Sequence, residues 1–247
     1  MTGYVSEIFS SFQGEGLFAG RRHVFLRMGG CNLRCGYCDT PGSLERTASC
    51  SVQGAAGGEQ TVKNPLDVAS VVSLLEPLLS AQGVHALAIT GGEPLLQSEF
   101  IAELLDANEP PVPVLLETNG TYPRRLEAVL PFIDIVSMDL KLPTNSGEPP
   151  FWEEHRAFLA ATKGKTGKTV YVKVPVDEAT SEREVTTAAR LVAAHDRSTT
   201  VFLQPILSPS AEVQISPTRL ARFYDLATAH LDDVRVLPQA HRFLGVR

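Results

Sequence analysis

The sequence predicts an α/β protein, a partial (β/α)6-type barrel with additions at its N- and C-terminal ends. Short apolar runs alternate with helical stretches about six times, the order that builds a wound parallel sheet or a full or partial barrel. The runs are nearly continuous in apolar residues, as expected of parallel strands covered by helices. Polar or Gly-rich clusters end several of them, namely "TGGEP", "ETNGT", "SMDLK" and "LQPI". Polar groups at the carboxyl ends of successive parallel strands converge on one face, where barrel enzymes place their sites.

An N-terminal strand is expected over Tyr4–Ser10. Further strands follow at His23–Met28, His85–Thr90, Val112–Thr118, Phe132–Asp139, Thr169–Val176, Thr200–Ile206 and Asp233–Pro238. The helices between carry start signals. Asn64-Pro65 sets a capping residue before a first-turn proline and leads into "LDVASVVSLLEPLL". Ser181 and Glu184 form a capping-box pair ahead of "VTTAARLVAAH", and Ser216-Pro217 opens "TRLARFYDLATAHL". Helices are also expected over Leu95–Asn108, Pro123–Val129 and Phe151–Thr162. Thr144–Pro150 reads as a loop. Pro41–Lys63, with its "SCSVQGAAGGEQ", reads as a loose surface insertion, and Cys50 as an incidental thiol upon it. No long linker divides the chain, so residues 1–247 are expected to form one domain.

The 247 residues are 43% hydrophobic, enough for one substantial core. A formal charge of −6 offers no attraction to nucleic acid or anionic lipid. The opening MTGYVSEIFSSFQGEG lacks the basic and apolar parts of a secretory signal. No apolar run reaches the roughly 18 residues that suggest a membrane span. A cytoplasmic location is expected, where thiols stay reduced. Four cysteines, three of them within eight positions, then read as a metal site rather than a disulfide set.

Those three, Cys31, Cys35 and Cys38, are spaced C-x3-C-x2-C. A structural zinc site wants a closed set of four ligands, and neither Cys50 nor His23 has convincing spacing for the fourth place. A 4Fe-4S cluster also presents four irons. With three thiolates, one iron stays open to a small molecule, as a catalytic zinc site keeps one position free. Gly91 and Gly92, between a strand and a helix, let main chain approach a ligand closely.

The spacing, with Tyr37 just before the third cysteine, resembles the radical S-adenosylmethionine superfamily. The unbroken stretch SEIFSSFQGEGLFAGRRHVFLRMGGCNLRCGYCDT, Ser6–Thr40, resembles more narrowly the 7-carboxy-7-deazaguanine synthase family. Together with "TGGEP" and the ending "LPQAHRFLGVR", the resemblance spans nearly the whole chain. It implies radical ring contraction of 6-carboxy-5,6,7,8-tetrahydropterin to 7-carboxy-7-deazaguanine with loss of ammonia, in queuosine and deazapurine biosynthesis. It implies a 4Fe-4S cluster on Cys31, Cys35 and Cys38, S-adenosyl-L-methionine, and Mg2+ with Thr40 as a ligand. The implied S-adenosylmethionine site takes in Tyr37, Cys38 and Asp39, then Gly91, Gly92 and Glu93, then Glu117 and Asn119. It continues through Ser137, Met138, Asp139 and Lys141 to Gln204, Pro205, Ile206 and Leu207. Many members have Ser-Pro-Lys where this chain has Ser137-Met138-Asp139, so the contact there falls to Ser137, Asp139 or Lys141. The implied substrate site holds Phe12, Gln13, Gly14, Glu15, Arg27, Thr90, His241 and Arg247.

These residue types suit a flat heterocycle with an amide-like edge and a carboxylate. The Phe12–Gly14 main chain and the Gln13 side chain give donors and acceptors, and Glu15 can accept from an exocyclic amine. Arg27 offers a charged fork to the carboxylate. Mg2+ takes oxygen ligands. The resemblance further implies a homodimer and an electron donor such as flavodoxin or ferredoxin. Two other readings stay open at the level of motifs: a glycyl-radical enzyme activase and a non-enzymatic, zinc-stabilised binding domain.

Overall fold

The computed structural model describes residues 1–54, 57–164 and 166–246. Its strands are β1 (Thr2–Gly3), β2 (Val5–Phe12), β3 (Arg22–Met28), β4 (Ser49–Gln53), β5 (Glu59–Lys63), β6 (Leu66–Asp67), β7 (Ala86–Gly91), β8 (Val114–Thr118), β9 (Ile135–Asp139), β10 (Thr169–Val176), β11 (Thr200–Pro205) and β12 (Val234–Val236). Its α-helices are α1 (Val68–Leu79), α2 (Ser98–Ala107), α3 (Pro123–Val129), α4 (Pro143–Ser146), α5 (Trp152–Thr162), α6 (Glu182–His195), α7 (Pro217–Thr228) and α8 (Ala240–Leu244).

Ten strands form one sheet in the order β12-β11-β10-β9-β8-β7-β3-β2-β4-β5. From β3 to β12 each neighbouring pair is parallel, which is the expected partial barrel. β2 runs antiparallel to β3 and extends the sheet. Inside the curl, Phe9, Phe25, Ala86, Ala88, Leu115, Ile135, Tyr171 and Phe202 pack together. Large and small residues alternate there, as a tight barrel interior requires. Phe9 stacks on Phe25 at 4.9 Å, and Phe25 stands in register with Ala88. The outward residues of the same strands pack beneath the helices in a larger core.

The helix starts follow elementary capping chemistry. Ser181 and Glu184 form the expected capping box on α6, and the Ser216 side chain accepts from Arg219 N–H at the start of α7. Three segments depart from expectation. Asn64-Pro65 does not cap α1; Asp67 does, accepting from Ser70 N–H at 2.8 Å. The Asn64 amide is spent elsewhere, donating to Val5 O and Thr47 O and accepting from Val5 N–H, which pins the start of β2. Pro41–Lys63 is not wholly loose, because β4 and β5 within it form an antiparallel hairpin that adds to the sheet beside β2. Cys50 on β4 is therefore a core residue, 0% exposed, rather than a loop thiol. Within the expected loop Thr144–Pro150, Thr144 to Ser146 complete the short turn α4. Among the described residues, no helix is long and apolar enough to cross a membrane.

Candidate active site

The parallel strands end on one rim, and a cavity of about 400 Å3 lies over it. One wall is the loop from Gly29 to Thr40. Main-chain bonds fix it: Gly30 N–H donates to Ser43 O at 2.9 Å, Cys31 N–H to Leu44 O at 3.0 Å, and Cys38 N–H to Cys35 O at 3.1 Å. Leu33 is buried as an anchor, and its N–H donates to Cys31 Sγ at 3.4 Å. Cys31, Cys35 and Cys38 all line the cavity. Burial pushes the Cys31 and Cys35 thiols up, a penalty that bonding to iron would offset, the metal replacing the proton on sulfur and releasing it to solvent. Among the described residues, no three His, Cys, Asp or Glu side chains converge closely enough to hold a single ion. Three thiols presented by one short loop to one cavity suit a cluster held at three of its irons.

The turn after β7 braces that loop. A Cβ on Gly91 would collide with the Met28 main chain, and one on Gly92 with Gly30 O and Ser43 O. Gly91 also has a φ of +144°. These glycines let two stretches of protein main chain meet, while still lining the cavity. Glu93 does not line it. Its carboxylate is 0% exposed and fully engaged, Oε1 by Leu95 N–H at 2.9 Å and Thr118 Oγ1 at 2.8 Å, Oε2 by Asn119 N–H at 2.8 Å. Burial outweighs those donors and pushes its carboxyl up to about 7. It ties the β7 and β8 turns together from behind rather than offering itself to a cofactor.

The opposite wall begins at Phe12, Gln13, Gly14 and Glu15, all on the cavity. Gln13 Nε2 donates to Glu117 Oε1 at 2.8 Å, and Gln13 Oε1 accepts from Glu15 N–H at 3.0 Å. The Gln13 main chain is used within the loop, its N–H on Arg21 O and its O by Gly20 N–H. Arg27 lines the cavity with Nε on Glu7 Oε2 at 2.7 Å and its guanidinium 5.4 Å from the Phe9 ring centre. Helix α8 closes over this loop, with Ala240 N–H donating to Gly14 O at 2.9 Å. A Cβ on Gly14 would fall on the His241 ring, so glycine is what lets the helix dock.

Tyr37, Asp39, Thr40, Thr90 and His241 line the cavity as well. So do Asn119, Asp139 and Lys141, and then Gln204, Pro205, Ile206 and Leu207. Ser137 and Met138 do not. Side chains alternate along β9, so Met138 points into the core under the helices, against Gly120. Ser137 shares the face of Asp139 but lies two residues deeper and is fully buried. Arg247 lies outside the described residues.

Among the cavity residues that were not anticipated are Lys173, Glu7 and Gln239. Lys173, on β10, pairs with Glu15 and with Asp139 Oδ1, the latter at 3.2 Å. A lysine inside "TVYVKVPV" is the signal that could have found it. Glu15 Oε1 accepts from Gln239 Nε2 at 2.8 Å, and Gln239 also donates to Asp39 Oδ2 at 2.5 Å. Asp139 Oδ2 accepts from Lys141 Nζ at 3.2 Å, and that ammonium stands 5.4 Å from the Tyr37 ring centre. A continuous polar line therefore runs from Tyr37 on the cysteine loop, across the strand ends, to Asp39.

Comparison with known proteins bears on this arrangement. Residues 25–173 match the model of the Radical SAM superfamily. A 7-carboxy-7-deazaguanine synthase of Geobacter sulfurreducens is 37% identical over 245 residues, which cover 98% of this chain and 96% of that protein. The chain belongs to the 7-carboxy-7-deazaguanine synthase family. A synthase of the same name from Methanothermobacter thermautotrophicus is 33% identical, covering 98% of this chain and 97% of the relative. Among solved structures, QueE from Escherichia coli shares the fold, with a TM-score of 0.59 at 20% identity over 98% of this chain and 95% of that one. The cofactors of the family are a 4Fe-4S cluster, S-adenosylmethionine and Mg2+. The residues present fit them: three thiols on one loop, a polar wall beside it, and the oxygen donors Thr40 and Asp39 on the same cavity.

Proposed function

We propose that this chain converts 6-carboxy-5,6,7,8-tetrahydropterin to 7-carboxy-7-deazaguanine with loss of ammonia. The observation that carries this reading is a single cavity shared by the three-cysteine loop and by Gln13, Glu15, Arg27 and Glu117. When bound, the cluster and S-adenosylmethionine supply a radical that removes a hydrogen atom from the substrate. The protein binds and orients. Gln13 and Glu117, already joined, present an amide and a carboxylate to the edge of the pterin, a contact that moves Glu117 from the cofactor set expected from the sequence to the substrate side. Glu15 accepts from the exocyclic amine. Arg27 takes the substrate carboxylate, with Glu7 fixing one edge of its guanidinium so that the remaining donors keep their aim. Phe9 and Phe25 give the flat ring an apolar floor. Thr40 holds Mg2+ with Asp39 beside it. Asn119, Asp139, Lys141 and the stretch from Gln204 to Leu207 form the cofactor wall, and His241 on α8 roofs the substrate end.

The same reading extends to a homodimer in the cytoplasm, one domain per chain, reduced by a flavodoxin or ferredoxin. The test is turnover. Chain reconstituted without oxygen with iron and sulfide, then given carboxytetrahydropterin, S-adenosylmethionine, Mg2+ and dithionite, should form a product with the mass of 7-carboxy-7-deazaguanine. A fully loaded preparation that forms none refutes the reading.

A further inference from the structure

Lys173 sits in the middle of a strand that is otherwise mostly apolar and is 2% exposed. A buried ammonium is costly unless it is paired. Two carboxylates from separate elements meet it, Glu15 from the loop after β2 and Asp139 from the end of β9. Both line the cavity, and on the reading above Glu15 serves the substrate and Asp139 the cofactor wall. The other groups facing Glu15 are the neutral amide of Gln239, the His241 imidazole of α8, and the Tyr171 phenol buried beneath. Asp39 stands beyond Gln239. Among the described residues, Lys173 is the cation in hydrogen-bond contact with Glu15.

We propose that Lys173 is a positioning residue for the substrate. It holds Glu15 as an anion aimed at the exocyclic amine and ties that carboxylate to Asp139 on the cofactor wall. The inference rests on the ring-contraction reading above. The electrostatics agree: burial alone would raise the Glu15 carboxyl, but the Lys173 charge and hydrogen bond hold it well below the usual carboxylate range.

The test is a pH profile. In the wild-type holoenzyme Glu15 stays ionised, so KM for carboxytetrahydropterin carries no Glu15 titration between about pH 6 and 8.5. In Lys173→Met, burial acts on Glu15 with only the Gln239 hydrogen bond and the His241 ring left to oppose it. Its carboxyl takes up a proton as pH falls, and KM relative to wild type should climb by up to about tenfold per pH unit. Lys173→Met combined with Glu15→Gln has no carboxyl at position 15 and should lose that dependence. Calorimetry of the product 7-carboxy-7-deazaguanine on the unloaded protein should show the same pattern, since the product keeps the exocyclic amine. Glu15→Gln alone provides a check that does not need Lys173→Met to fold: it should weaken product binding by about tenfold or more, with no new pH dependence. A pH-independent ratio of Lys173→Met to wild type, a dependence that survives in the double variant, or unchanged product affinity in Glu15→Gln overturns the inference. Loaded wild-type protein that makes no deazaguanine would instead sink the reading of the reaction itself.

Discussion

Glu93 is enclosed on all sides, and burial pushes its carboxyl up to about 7 from an ordinary 4.5. Between those two values the folded chain keeps a proton that the unfolded chain has released. Stability should therefore fall as pH rises through that window. The window is about 2.5 pH units wide, and at about 1.36 kcal/mol per unit the full loss is about 3.4 kcal/mol, about 3 kcal/mol of it between about pH 4.5 and 8. Glu93→Gln has no such titration and serves as the reference. One of its three donors, the N–H of Leu95 or Asn119 or the hydroxyl of Thr118, loses its acceptor, which costs about 1–3 kcal/mol at every pH. Urea unfolding of the two unloaded proteins, followed by far-ultraviolet circular dichroism from about pH 4.5 to 8, isolates the titrating part. The stability of wild type minus that of the variant should drop by about 3 kcal/mol across the range and level off above about pH 7.5. A difference that ignores pH, or that grows in favour of wild type as pH rises, refutes the picture of Glu93 as a buried brace.

Three further outcomes are expected. Cys31→Ala should leave the reconstituted protein without the brown absorption of a cluster and without turnover; retained product formation would contradict the three-cysteine site. Arg27→Ala should raise KM for carboxytetrahydropterin by about 100-fold, the loss of a charge-assisted fork, while KM for S-adenosylmethionine moves far less. Equal changes in both would make Arg27 a structural residue. Cys50, pushed up to about 12 by burial, should resist iodoacetamide in the folded, unloaded protein while Cys31, Cys35 and Cys38 react. Alkylation of Cys50 at the same rate as the loop cysteines would place it outside the core.

Much of this architecture was legible because it is local. Apolar runs of four to eight residues are strands here because helices cover one face and the packed interior of the curl the other, and the Ser181–Glu184 and Ser216 caps involve neighbours three residues apart. What was missed depends on distant partners. Asn64 reads as a helix cap until Val5, 59 residues away, takes its amide. "SCSVQ" reads as loop until β2 offers an edge for Ser51 and Val52 to pair with. At the site, the cluster of polar strand ends was visible, but not the direction of each side chain. The alternation along β9 separates Asp139 on the cavity from Met138 in the core. Glu93 looks like a cofactor contact in sequence because nothing local reveals that Asn119 and Thr118 already hold it. Lys173 was marked by its own chemistry, a charge in a buried strand, and its two carboxylate partners explain why it is tolerated there.

The most direct test of the central claim, that one cavity brings the cysteine loop and a pterin together, is the stoichiometry of turnover in the reconstituted protein. The family resemblance implies that the hydrogen atom is returned and S-adenosylmethionine regenerated, so carboxytetrahydropterin should be converted to deazaguanine with many product molecules formed for each S-adenosylmethionine lost. S-adenosylmethionine cleaved without deazaguanine, or cleaved only when a glycyl-radical protein partner is added, would contradict it.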